Sequence, residues 1–95
     1  FIDKYQKTYG YVPDDVAALT YDATYIVLQA IQDAGLTGNL AKDRVAVKDA
    51  MGRIKSFSGV TGNMQFTPDG DPIKEAVVVQ VTPEGEFEFV KSLQP

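Results

Sequence analysis

The stretch from Asp15 to Ala34, DVAALTYDATYIVLQAIQDA, is apolar around most of its circumference once it is wound as a helix. Successive residues advance about 100°, which leaves one narrow polar stripe of Asp15, Asp22, Gln29 and Asp33. Acids at the start suit the N-terminal dipole, and Gly35 supplies a stop. Thr20 and Thr24 fall opposite that stripe beside Val27 and Ile31, so this face is expected to be packed. A helix apolar on nearly all sides needs neighbours on several sides. A chain of 95 residues has few to offer, since it makes one domain at most and buries roughly 60–65% of its unfolded surface.

The remaining elements follow the hydrophobic period. Phe1, Ile2, Tyr5 and Tyr9 mark a short amphipathic helix over about 1–9, stopped by Gly10, and Tyr11 to Pro13 form a connector. A third helix is predicted over about 41–55, with Ala46, Val47, Ala50, Met51 and Ile54 inward and Lys42, Asp43, Lys48 and Asp49 outward. Beyond Phe57 the period becomes two, giving strands over about 63–66, 75–81 and 86–90. The run AVVVQV suits a strand covered on both faces. No internal repeat or low-complexity segment is evident, and the whole reads as a single partial domain. The chain opens at FIDKYQKTYG without an initiating Met or signal-peptide pattern, as a cloning or proteolytic boundary would leave it.

Composition removes whole classes of chemistry. With no Cys and no His, the chain has no thiolate, no triad base and no common zinc ligand. Only a Ser–Lys pairing among Ser56, Ser58 and Ser92 is left, so an enzyme is not expected. A net charge of −4 with scattered cations argues against nucleic acid. No run reaches the roughly 18 apolar residues of a membrane span.

Each polar cluster has a plain structural reading beside a functional one. Asp69-Gly70-Asp71 is a hairpin turn sooner than a calcium loop, because Thr67 and Pro68 break the EF-hand spacing. In FSGVTGN (57–63) the amides could face an anion, but Gly59 and Gly62 as bends, with Phe57 and Val60 docked in the core, is the simpler reading. Tyr5, Tyr9, Tyr11, Tyr21 and Tyr25 serve as wedges between helices more readily than as ligand contacts. Asp14 and Asp15 are best explained as helix capping. Asp22, on the polar stripe, is expected to be solvated or bonded to a neighbouring segment.

The order of these pieces carries more than any one of them. F-x-x-x-Y-x-x-x-Y-G-x-x-P (1–13), A-x-x-Y-D-A (18–23), A-I-x-x-A-G (30–35) and F-x-G-V-T-G-x-x-x-F-x-x-x-G-D (57–71) precede the paired terminal strands. This succession, spanning essentially the whole chain, resembles the C-terminal part of type I periplasmic solute-binding proteins of ABC transporters. The likeness is to the branch that binds leucine, isoleucine, valine and related solutes. It implies an α/β fold, a fragment of a two-lobed body, with three helices followed by about three strands that look α+β in isolation. It implies an amino-acid-like solute held between lobes, a membrane permease as partner, no cofactor, and a periplasmic or extracellular location with lipid anchoring as one form. Most of the cleft lies outside these residues, so the piece alone is expected to bind no ligand and to self-associate. Tyr11, Asp14, Asp15, Val16 and Ala17, at the entry to the long helix, match a region that borders the cleft in the family. The competing readings are a self-contained α+β interaction module and a sensor or enzyme-linked domain that borrows the solute-binding fold.

Overall fold

A computed structural model describes residues 1–95. Three helices come first, α1 (Ile2–Tyr9), α2 (Asp15–Ala34) and α3 (Leu40–Gly52). Five strands follow, β1 (Phe57–Gly59), β2 (Gly62–Phe66), β3 (Pro72–Lys74), β4 (Ala76–Val81) and β5 (Phe87–Leu93). The helix starts are written in short polar side chains. Asp14 caps α2 by accepting from the Ala17 amide at 2.8 Å, and Asn39 caps α3 by accepting from the Lys42 amide at 3.1 Å. Asp43 does not face outward as its place in the helix suggests. It is half-buried and accepts from the Thr37 amide, the Thr37 hydroxyl and the Gly38 amide, which ties the α2–α3 loop to α3. Those bonds, the Thr37 amide first, hold its carboxyl below the ordinary carboxylate value.

The strands form two separate sheets. In the first, β1, β2 and β3 lie antiparallel in that order; in the second, β4 and β5 form a two-stranded ribbon. Strands β1 and β3 carry only three residues each, too few for a period-two signal to stand out in sequence. The sheet packs one face toward α2 and α3. Ile26, Ile54 and Met64 are buried together, with Met51, Phe57 and Phe66 against them. Ala30 and Ala50 are buried as well, and small side chains at those points let α2 and α3 approach closely.

The two hairpin turns carry a short repeat, contrary to the expectation of none. T-P-D-G-D (67–71) and T-P-E-G-E (82–86) close the β2–β3 and β4–β5 hairpins in the same way. In each, the Thr amide donates to the last acid's carbonyl and the glycine amide returns to the Thr carbonyl. The Thr hydroxyl then accepts from the last acid's amide, at 3.0 Å from Asp71 and 3.2 Å from Glu86. Gly70 and Gly85 have φ of 94° and 82°, a backbone state that residues with a Cβ adopt only with strain. Asp69 and Asp71 thus serve a turn.

Much of the apolar surface has no partner within the chain. Only six of 95 residues are buried, and the radius of gyration is 16.8 Å where a compact domain of this length would have about 12 Å. The accessible surface of 7357 Å² likewise exceeds the roughly 5400 Å² expected for a folded chain of this mass. Thr20, Thr24 and Val27 are exposed and Ile31 is half-buried, so the face of α2 expected to be packed is open here. AVVVQV is not covered on both faces either. Val77, Val79 and Val81 are exposed with Phe87 and Phe89 across from them, at 78% and 64% exposure for the two rings. The reason is topological, since neither ribbon strand makes more than a marginal contact with the helices or with the three-stranded sheet.

Candidate functional site

Two places gather polar or aromatic groups. The first is an open groove of about 660 Å³ between α1 and α2, walled by Phe1, Tyr5, Tyr9, Tyr21 and Tyr25 with Ala17 at its floor. The rings form a chain of contacts, with Phe1 and Tyr21 centroids 4.8 Å apart, Tyr21 and Tyr25 also 4.8 Å, and Tyr5 and Tyr9 4.5 Å. Tyr11 joins through its hydroxyl, 3.2 Å from that of Tyr5. The Tyr11 hydrogen bond is the main reason the Tyr5 phenol is pushed up to about 12. Only the Phe1–Tyr21 contact bridges α1 and α2; Tyr9, Tyr11, Tyr21 and Tyr25 are exposed, so the tyrosines line an open apolar concavity and are not the packed wedges expected from sequence.

The residues at the entry to α2 are brought only partly together. Ala17 and Tyr11 belong to or adjoin the groove. Asp14 has one carboxylate oxygen committed to the helix cap, while Asp15 and Val16 lie exposed on the first turn and do not line the groove. Thr20, Thr24 and Leu28 complete the floor. The signal for them was the helical spacing from Ala17, which the sequence reading assigned to packing alone.

The second place is buried. Asp22 sits in the middle of α2 with only 1% exposure, on the same side as Ile26 and Ala30, four and eight residues on. It is not solvated; of the two expectations for it, attachment to a neighbouring segment is the one observed. The neighbour is the turn between β1 and β2. Oδ1 accepts from the Val60 amide at 2.8 Å, and Oδ2 accepts from the Thr61 amide at 2.9 Å and the Thr61 hydroxyl at 2.5 Å. The Lys74 ammonium donates in turn to the Thr61 hydroxyl oxygen. Burial alone would push the Asp22 carboxyl up, but the Thr61 hydroxyl, the Thr61 and Val60 amides and the Lys74 charge outweigh it and hold it low.

The two readings of FSGVTGN thus meet at one point. Its amides do receive an anion, and that anion is the chain's own carboxylate. Gly59 is a glycine because of the close approach, since a Cβ there would stand 2.5 Å from the Asp22 Cγ and 2.7 Å from Oδ1. Val60 is not docked in the core; it is 45% exposed, because its amide and not its side chain faces inward. No sequence pattern could pair Asp22 with a turn 38 residues away. The available signals were an acid inside an apolar helix and a glycine pair without a phosphate-loop context.

No group of three His, Cys, Asp or Glu side chains converges in a way that could hold a metal, and no helix is long and apolar enough to cross a membrane. Among curated protein sequences none is significantly similar to this chain. The family model described as periplasmic binding protein matches residues 1–86. The crystal structure of a leucine-binding protein LivK from Thermotoga maritima superposes on all of this chain with a TM-score of 0.81 and 32% sequence identity. This chain spans 25% of that protein's length, and its three helices followed by strands match a fragment of that two-lobed α/β fold. The chain belongs to the periplasmic binding protein family.

Proposed function

We propose that these residues form the C-terminal part of an extracytoplasmic, non-enzymatic solute-binding protein. The whole protein captures a small amino acid or a related solute between two lobes and delivers it to an ABC permease. The observation that carries this reading is the likeness to a leucine-binding protein over the full length of the chain, in sequence as well as fold. The polar inventory is consistent with it, since the best-organised polar group, Asp22, is spent on internal structure and not on chemistry. Tyr11, Ala17 and the first turn of α2 stand at the cleft border in this reading, while Asp14 holds the turn in place.

Calorimetric titration of the longer protein carrying these residues tests the proposal. Leucine, isoleucine, valine and a panel of other amino acids and amides are the ligands. One of them should saturate a single site per chain, with the negative heat-capacity change of apolar burial. An absence of saturable heat across the whole panel would refute it. The 95-residue chain alone should give only heats of dilution.

A further inference from the structure

Val60 and Thr61 form the loop between β1 and β2, closed by the Gly59–Gly62 pair. Neither has a positive φ, and Gly62, which follows, has a φ of 110°. Successive amides in such a turn make a concavity that suits an anion. The loop does not need Asp22 to take this form. The turns at 67–70 and 82–85 likewise run through residues of negative φ to a glycine at positive φ, and no carboxylate from another element enters either of them.

What the loop presents is a fork. The Val60 amide donates to one carboxylate oxygen at 2.8 Å, and the Thr61 amide to the other at 2.9 Å, where the Thr61 hydroxyl adds a second bond. The Lys74 ammonium donates to that hydroxyl, which engages its lone pair and turns its proton toward the anion. Two oxygens, each with its own amide, match a carboxylate. A halide would have to share a single point among the three donors. Asp22 reaches the fork from α2, which is docked independently through Ile26 against Ile54 and Met64.

We propose that the β1–β2 turn is a preformed receptor for one small carboxylate, filled here by Asp22 and able to take a free formate ion when that side chain is removed. Formate is the size the site allows. Gly59 closes on the group from the hairpin side, where a Cβ would stand 2.5 Å from the Asp22 Cγ. The backbone of α2 closes the opposite side, so the methyl of an acetate would fall on the helix itself. The inference concerns the chain's own geometry and does not rest on the solute-binding reading.

The test uses Asp22→Gly in the longer protein carrying these residues, since the Cβ must go to make room for the formate hydrogen. Sodium formate is titrated against sodium chloride and sodium acetate at equal ionic strength, while hydrogen exchange of the Val60 and Thr61 amides and the thermal midpoint are followed. Formate should restore protection saturably and raise the midpoint with the logarithm of its concentration above half-saturation. Chloride and acetate should do neither. The parent and Asp22→Asn, in which the place is filled, should not respond to formate. Adding Thr61→Val to Asp22→Gly should weaken formate binding about tenfold, the loss of one hydrogen bond to a charged group. Folding of Asp22→Gly in formate but not in chloride would support the proposal equally. No saturable response to formate would overturn it, whether the variant stays unfolded or its two amides stay unprotected, and so would an equal response to chloride.

Discussion

Asp22→Ala should lower the stability of the chain by about 3 kcal/mol, the cost typical of removing one member of a buried, charge-assisted set. The substitution strips the acceptor from the Val60 amide, the Thr61 amide and the Thr61 hydroxyl at once, and leaves the Lys74 charge without its counterpart. Water cannot simply replace it, since Asp22 is almost fully enclosed and lies against Gly59, Val60 and Thr61. Urea unfolding at fixed protein concentration reads the effect as a shift in midpoint. A shift of under about 0.5 kcal/mol, the usual range for a surface change, would contradict the assignment. The acid response adds a second arm. The folded-state carboxyl is held below its ordinary value, so its stabilisation is present above the unfolded value of about 3.9 and lost as pH falls through the folded one. Asp22→Asn should remove that component of the acid sensitivity below about pH 4.

Gly59→Ala should cost about 2–3 kcal/mol, at the upper end for inserting one methyl into a closed site. The added Cβ would overlap the Asp22 carboxylate, and both parties are fixed, one by β1 pairing and the other by three hydrogen bonds. The penalty therefore depends on Asp22 being where it is. In Asp22→Ala the same methyl finds room, so the two changes together should cost at least 1 kcal/mol less than their sum. Strict additivity in this double-mutant cycle would mean that glycine is needed at position 59 for backbone conformation and not for the approach of Asp22.

The sequence conveyed the helical half of this fold because long apolar periods and side-chain caps are local signals. Asp14, Gly10 and Gly35 act on the residues beside them, and all three begin or end helices in the structure. The strands were less legible. β1 and β3 are set by pairing with β2 and not by their own pattern. The least legible feature was the Asp22 site, whose parts lie 38 and 39 residues apart on α2 and the β1–β2 turn. Each part was conspicuous by itself, an acid in an apolar helix and glycines around a turn. Their relation is a property of packing, which periodicity does not encode.

The exposed apolar surface bears on the whole account. The open face of α2 with its aromatic groove, and the ribbon face of Val77, Val79, Val81, Phe87 and Phe89, are surfaces of the kind a domain buries. In the solute-binding reading they are covered by the remaining parts of both lobes. Sedimentation of the isolated 95-residue chain over a range of concentrations, with a hydrophobic dye present, tests this most directly. Concentration-dependent self-association with dye bound at low concentration is expected, and a dye-silent monomer at every concentration would mean that these faces need no cover.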